Sequence, residues 1–300
     1  VKRIRERLQA EGVGDVVENQ PLKNFTTWKI GGLAKLFVEP DSLEALQKTV
    51  MVAKDENIPW FIIGKGSNIL IKDEGINGLV IHLGEGFKHF SNHDGVVRVG
   101  AGYSLIGFAT QLSKQGWKGM EFAGGIPGTI GGAVFMNAGA HGSDMSCVLT
   151  KAHLLYPDGQ LSWVNCDDMG FDYRTSRLQE EGAICVEAEM SFEEGDLEEI
   201  TKKLQGNKDY RKQSQPWNDP CCGSVFRNPL PYYAGDLIER AGLKGCSVGD
   251  AQVSLKHANF IINKGNATAH DVFSLIQYIQ GVIYDHFQVE MKTEVEVINL

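Results

Sequence analysis

The chain has no CxxC pair. Its six cysteines, Cys147, Cys166, Cys185, Cys221, Cys222 and Cys246, are scattered, so their spacing offers neither a zinc site nor a disulfide framework, and they read as reduced thiols with no metal expected. Also lacking is any run approaching the roughly 20 consecutive apolar residues that a membrane span requires. The first residues, VKRIRERLQAEGVGD, have the pattern of a charged amphipathic helix and not of a signal peptide, which places the protein in the cytoplasm without membrane insertion. Positive charge is in short supply. Lys and Arg number 29 against 38 Asp and Glu, a net charge of -9, and the pI is near 5.4. That balance excludes a general affinity for nucleic acid or anionic membranes but leaves room for a local basic pocket. Internal repeats, low-complexity tracts, a GxxxxGK[ST] loop and a GxGxxG fingerprint are all missing.

What is present is apolar substance and glycine. A chain of 300 residues, 42% of them apolar, buries a sizeable core and favours two domains over one. Asp41 and Ser42 precede LEALQKTVMVAKDEN, in which Leu43, Leu46, Val50 and Ala53 recur at helical intervals, predicting a helix that ends near Asn57. The runs WFIIG, NILI and GLVIHL then read as strands, and GVVRVGAG as a strand feeding a helix that stops at Gly116. KAHLLYPDGQLSWV predicts a hairpin turning at Pro157, Asp158 and Gly159, followed by the strand AICVEAEMSFEEGD. After Gly195 an acidic-then-basic helix, DLEEITKKLQGNKDYRKQ, leads into the loop QPWNDPCCG, and the chain closes with the helix HDVFSLIQYIQGVIYDHF and the strand TEVEVINL. The fold class is mixed α+β, with strands too irregularly spaced for a barrel of eight repeats. The domain boundary falls at 194/195.

Two glycine-rich segments carry chemistry. GKGSN, from Gly64 through Lys65, Gly66 and Ser67 to Asn68, follows the strand WFII. Its glycines free the backbone to turn several N–H groups toward one point, as a phosphate requires, although a tight turn has the same composition. GMEFAGGIPGTIGGAVFMNAGAHGSD holds eight glycines between Gly119 and Gly142, with Pro127 fixing one φ angle, a backbone against which a long flat ligand can lie. Close structural packing is the alternative.

TTWKIGG (26–32), GKGSNIL (64–70), AGGIPGTIGGAVFMNAGA (123–140), FDYRTSR (171–177), CGSVFRNP (222–229), AQVSLKHANFIIN (251–263) and TEV (293–295) occur in this order. Together they resemble the UDP-N-acetylenolpyruvoylglucosamine reductases, the MurB family, over nearly the whole chain. The resemblance implies a two-subdomain FAD-binding domain of the vanillyl-alcohol oxidase (PCMH) type over residues 1–194, its core starting near Lys29, and an α+β substrate-binding domain over 195–300. It implies non-covalent FAD, NADPH as co-substrate, and reduction of UDP-N-acetylglucosamine enolpyruvate to UDP-N-acetylmuramate in bacterial cell-wall peptidoglycan synthesis, by a monomer or weak oligomer.

Carried over motif by motif, Gly64 to Asn68 grip the FAD pyrophosphate, and Gly125, Ile126, Thr129 and Asn137 line the flavin. Arg174 offers a planar, always-charged fork to a carboxylate gaining charge. Ser224 resembles the family's proton donor, and Glu294 the glutamate that polarises the substrate carboxylate or positions the proton relay. Arg211, with Lys212 as its alternative, matches the diphosphate position. Asn228 and His257 fall in substrate-side motifs, and a core or surface histidine is the plain alternative for the latter. Outside these motifs Arg174 would read as a surface arginine on a strand edge, Ser224 as a turn residue, and Glu294 as a solvated carboxylate. Two departures stand out: Lys292 occupies a position where the family carries glutamate, and no tyrosine-bearing insertion follows Arg174, the mark of the shorter type II subclass. An oxidase on the same FAD domain has no need for Arg174, Ser224 and Glu294 together, and a non-enzymatic nucleotide-binding protein would bind no yellow chromophore.

Overall fold

The computed structural model describes residues 1–298. Asn299 and Leu300, which end the predicted strand TEVEVINL, lie outside the described residues. Packing groups the chain into two compact units: the first is Val1–Glu18, Leu36–Gly64 and Gly78–Tyr210, and the second is Asn19–Lys35, Lys65–Asn77 and everything from Arg211 on. Helices and strands alternate irregularly through both, as a mixed α+β fold requires.

The first unit contains two hydrophobic cores. One is built on a five-stranded antiparallel sheet in the order Leu161–Asn165, Leu149–Leu155, Ile184–Ser191, Val96–Gly100, Phe90–His93. Period-two alternation sends Val97, Val99, Ala152, Leu154, Ala188 and Met190 to the buried face, where helix α3 (Leu105–Lys114) meets them with Leu105, Phe108, Ala109 and Leu112, spaced three and four apart. Helices are numbered here in chain order, after α1 (Lys2–Ala10) and α2 (Leu43–Asp55). The predicted hairpin turns where expected, with the Tyr156 amide donating to the Gln160 carbonyl at 2.9 Å and Gly159 at φ +88°. The second core lies under α2, whose Leu46, Val50 and Ala53 are buried as their spacing predicts. Ser42 caps that helix by accepting from the Ala45 amide at 3.2 Å.

The glycine-rich stretch holds an element that its composition hides. Ile130–Phe135 forms a short helix, α4, with Thr129 at its N-cap accepting from the Gly132 amide at 3.3 Å. Glycine disfavours helix by about 1 kcal/mol relative to alanine, so tertiary packing of Ile130, Ala133 and Val134 decides this one. Two further helices, α5 (Arg177–Glu181) and α6 (Leu197–Ser214), follow in the chain. Of the second of these only Ile200 and Leu204 are buried.

The second unit is organised by its last helix. Between it and α6 lies α7 (Ala234–Arg240), and α8 (Ala269–Phe287) starts with a reciprocal capping box between Thr268 and Asp271. The carboxylate of Asp73 adds two bonds from the Ala269 and His270 amides, at 2.9 and 3.0 Å, satisfying donors that a helix start leaves open. The inner face of α8 buries Val272, Leu275, Ile276, Ile279 and Ile283. At about 1.5–3 kcal/mol for each aliphatic side chain, that face contributes roughly 10 kcal/mol of gross burial. A three-stranded sheet, Ser247–Val248, Ala251–Val253 and Ile261–Asn263, and a parallel pair, Ile69–Ile71 with Glu296–Ile298, complete the unit. The final strand thus begins at Glu296, later than the sequence suggested. Among the described residues no helix is long and apolar enough to cross a membrane.

Trp28, fully buried, sits at the centre of this unit. Its indole N–H donates to the Ile261 carbonyl at 2.7 Å, and its own carbonyl accepts from the Asn263 side chain at 3.0 Å. Trp28→Phe keeps most of the apolar surface but strands the Ile261 carbonyl. It is expected to lower stability by about 1–3 kcal/mol, read as a drop in urea midpoint; an unchanged midpoint would show that the indole N–H contributes nothing.

Candidate active site

In the second unit, the segment carrying Ser224 is fixed by backbone geometry on both edges. Gly223, at φ +85°, turns the chain just before the serine. Beyond it Val225 and Phe226 are buried and are gripped from one side by Asn259. The Asn259 carbonyl accepts from the Val225 amide at 2.9 Å. Its side-chain amide accepts from the Phe226 N–H and donates to the Phe226 carbonyl, both at 2.9 Å. One buried side chain therefore does for Phe226 what a neighbouring strand does in a sheet.

The other edge belongs to the C-terminal segment. The Arg227 amide donates to the Lys292 carbonyl at 2.9 Å, and the Glu294 amide donates to the Val225 carbonyl at 2.8 Å. The carbonyl of Glu294 accepts from the Asn68 side chain at 3.2 Å. The structure thus brings together the segments that bear Ser224 and Glu294, two of the sequence-predicted residues, within one hydrogen-bonded frame. Between them in character lies Cys222, whose thiol is pushed well above its ordinary pKa by burial and then by the charges of Cys221 and Glu294. It remains a protonated thiol and not a nucleophile. Glu296, two places beyond Glu294, has its carboxyl raised by burial, with Arg227 acting in the opposite direction.

Asn228, Arg211 and His257 occupy the same unit. The Asn228 side chain accepts from the Ala234 amide at 3.0 Å, holding the start of α7. Arg211 is half-buried and donates through Nε to Gln215 at 2.9 Å. Lys212 is exposed, with Nζ 5.8 Å from the Trp217 ring centre. His257 Nδ1 accepts from the Asn259 amide at 3.2 Å, which assigns the proton of the neutral ring to Nε2. Its ring stands edge-on to Phe260 at 4.8 Å. Burial, then the positive charge of Lys244, lowers its pKa, with Glu239 opposing and Arg211 adding to the fall.

Arg174 belongs to the first unit. It does not lie on a strand edge: it sits at φ +58° in a tight turn closed by mutual backbone bonds between Asp172 and Thr175, at 3.2 and 3.1 Å. Its guanidinium donates to the Gly139 carbonyl at 3.0 Å and lies 5.0 Å from the Tyr173 ring centre. Asn137, buried and itself at φ +41°, donates to the Asp172 carbonyl at 3.3 Å and accepts from the Ser146 amide at 3.1 Å. The amide nitrogen of this side chain thereby ties the arginine turn to the glycine-rich segment, while its oxygen holds the Ser146 backbone. Gly125 is buried at the end of the short turn Glu121–Gly125, and Ile126 follows it half-buried.

The glycines of the GKGSN sequence sit where a side chain would not fit. A Cβ on Gly64 would fall 2.6 Å from the Thr129 hydroxyl, so the chain passes too close for any side chain. Gly66 is left-handed at φ +56°, and a Cβ there would fall 2.3 Å from the Phe25 carbonyl. The Gly66 carbonyl accepts from the Thr27 amide at 3.1 Å, locking the turn. Lys65 is exposed while Ser67 and Asn68 are half-buried. This is a pinned, glycine-dependent turn with polar side chains at its tip, a fit for an anionic group. The polar clamps themselves, Asn259 above all, escaped the sequence reading. Their one signal is an amide side chain inside an otherwise apolar run such as HANFIIN.

Residues 215–298 match the family described as UDP-N-acetylenolpyruvoylglucosamine reductase, C-terminal domain, and residues 34–165 match an FAD binding domain family. The UDP-N-acetylenolpyruvoylglucosamine reductase of Anoxybacillus flavithermus is 54% identical over 299 residues, 99% of each chain. That of Bacillus subtilis is 49% identical over 299 residues, again 99% of each. The crystal structure of the Thermus caldophilus enzyme (MurB) superposes with a TM-score of 0.82 at 33% identity, covering 95% of this chain and 98% of that one. An alkyldihydroxyacetonephosphate synthase shares the fold alone, with a TM-score of 0.50 at 17% identity over 65% of this chain and 40% of that one.

The lowered pKa of His257 has a signed consequence. In the unfolded chain the imidazole takes up a proton as pH falls through about 6.5, whereas the folded site resists it, so stability falls with pH below that value. His257→Gln is expected to flatten the fall in urea midpoint between about pH 7.5 and about pH 5.5. A variant with the same slope as the parent would show that His257 does not titrate differently in the two states.

Proposed function

The chain belongs to the UDP-N-acetylenolpyruvoylglucosamine reductase family, and from that membership we propose that it reduces UDP-N-acetylglucosamine enolpyruvate to UDP-N-acetylmuramate with FAD and NADPH, a step in building peptidoglycan precursors. The observation that carries the reading is similarity across 99% of the chain to reductases of that name, in a protein whose Ser224 and Glu294 segments share one frame through the Glu294 to Val225 backbone bond at 2.8 Å. FAD, when bound, supplies the hydride that NADPH provides. The work of the protein is to bind the enolpyruvyl group, hold its carboxylate and deliver a proton.

Addition of hydride at C3 of the alkene leaves enolate charge spread onto the substrate carboxylate. Arg174 is the residue for that charge, because a guanidinium cannot deprotonate and presents paired donors. Its turn, fastened by Asn137 and Gly139, supports this role by removing the freedom the side chain would otherwise lose on binding. Ser224 donates the proton to C2: its O–H bond breaks as the C2–H bond forms, and the resulting alkoxide is reprotonated from solvent or a neighbouring acid. Glu294 helps polarise the same carboxylate or positions the proton relay.

Asn228 and His257 contact the substrate, and Arg211 binds its diphosphate. The half-buried Arg211, whose charge His257 feels, suits that role better than the exposed Lys212. Gly64 to Asn68 take the cofactor pyrophosphate, and Gly125, Ile126, Thr129 and Asn137 the flavin side. We assign the cofactor role to residues 1–194 and the substrate role to 195–300, in a cytoplasmic enzyme acting as a monomer or weak oligomer.

Purified protein mixed with NADPH and UDP-N-acetylglucosamine enolpyruvate is expected to oxidise NADPH continuously only when both are present. Ser224→Ala is expected to leave reduction of the flavin by NADPH within about threefold while slowing reoxidation by substrate ~10²- to 10⁴-fold, the range of a lost general acid. Equal slowing of both half-reactions would remove Ser224 from the proton-donor role, and oxidation indifferent to the enolpyruvyl substrate would contradict the reaction itself.

A further inference from the structure

We propose that Asn68 is a positioning residue for Glu294, transmitting occupancy of the glycine turn to the catalytic carboxyl; the inference rests on the reductase reading above and deepens it. The backbone of Glu294 is held by two different segments. Its N–H goes to Val225, on the serine segment, at 2.8 Å, and its C=O receives the Asn68 side chain, from the glycine turn, at 3.2 Å. The Asn68 carbonyl in turn accepts from the Glu296 amide at 3.0 Å. From there the parallel ladder continues, Glu296 opposite Ile69, Val297 opposite Leu70 and Ile298 opposite Ile71. The ladder stops short of Glu294, and the Asn68 amide extends it by one bond at the point where the strand ends.

Both ends of this linkage are anchored. Leu70 and Val295 are buried beside it, and the turn preceding Asn68 is pinned by the Gly66 carbonyl and by a left-handed φ that only glycine adopts cheaply. A shift in the turn is therefore delivered to the Glu294 peptide and not absorbed by intervening slack. A ligand that orders the turn orders Glu294, and by reciprocity an ordered Glu294 favours that ligand. A residue that merely bound pyrophosphate would need no bond to the carboxyl-bearing strand.

The test compares wild type with Asn68→Ala and Asn68→Asp, the second placing a carboxylate oxygen against the Glu294 carbonyl. In hydrogen exchange without substrate, loading FAD is expected to slow exchange of segment 292–298 about tenfold in wild type and to leave it unchanged in both variants. ADP, which carries the same pyrophosphate, serves as the probe for any variant that retains too little FAD. In rapid mixing at saturating FAD, reoxidation by the enolpyruvyl substrate is expected to fall about tenfold or more in kcat with KM altered less than about threefold, while reduction by NADPH falls much less. Protection of 292–298 in the variants equal to wild type, or equal losses in the two half-reactions, overturns the linkage. A wild-type protein that shows FAD protection of 292–298 yet is not reoxidised by the enolpyruvyl substrate sustains the linkage and contradicts the reductase reading instead.

Discussion

The bond from the Glu294 amide to the Val225 carbonyl, 2.8 Å long, is the constraint on which the frame around the Ser224 and Glu294 segments depends. It joins a C-terminal segment to a loop some seventy positions earlier, and together with the Asn68 side chain on the Glu294 carbonyl it fixes the Glu294 backbone from both sides. The bond survives because its surroundings leave no better option: Val225 is fully buried, so its carbonyl must be satisfied inside the protein or cost the full penalty of desolvation. Asn259 removes the remaining freedom from the opposite edge. A serine on a segment held this way has little backbone entropy to lose on meeting a substrate, which suits the role proposed for it.

The first unit solves a comparable problem with backbone conformation. Arg174 and Asn137 are both non-glycine residues in the left-handed region, where a side chain costs of order 1 kcal/mol or more. Each is held there by hydrogen bonds to the other's segment, Asn137 to Asp172 and Arg174 to Gly139. The strain is tolerated because the two turns brace one another, and its result is a guanidinium at a fixed place. Glycine performs the same service in the GKGSN turn at lower cost, since Gly66 takes a φ and a closeness to Phe25 that no other residue accepts.

Much of this was legible in the sequence because periodicity reports burial directly. Helix α2, the 149–165 hairpin and α8 follow from spacing and caps alone, and the ordered motifs pointed to the family that the relatives then established. Three kinds of feature were not legible. Strand Asp15–Pro21 is polar at most positions, whereas Leu33–Glu39 is mostly apolar and buries Leu36, Phe37 and Val38 in a row, so neither shows a clean alternation. Helix α4 is masked by Gly131 and Gly132, whose weak propensity is overridden by packing. The amide clamps of Asn68, Asn137 and Asn259 are relations between residues far apart in the chain, and no local pattern encodes a partner. The glycine segments were legible as backbone that must come close to something, whereas what each glycine approaches, Thr129 for Gly64 and Phe25 for Gly66, is a property of the folded chain alone.

The central claim is that the frame holding Val225, Phe226 and Glu294 presents the Ser224 hydroxyl to the carbon that is protonated. A crystal structure of the protein with FAD and the enolpyruvyl substrate tests it most directly. The account predicts Ser224 Oγ within about 3.5 Å of C2 of the alkene, with the Glu294 amide still on the Val225 carbonyl and the Arg174 guanidinium on the substrate carboxylate. A complex in which Ser224 faces away from C2 while another acidic group takes that place would contradict it.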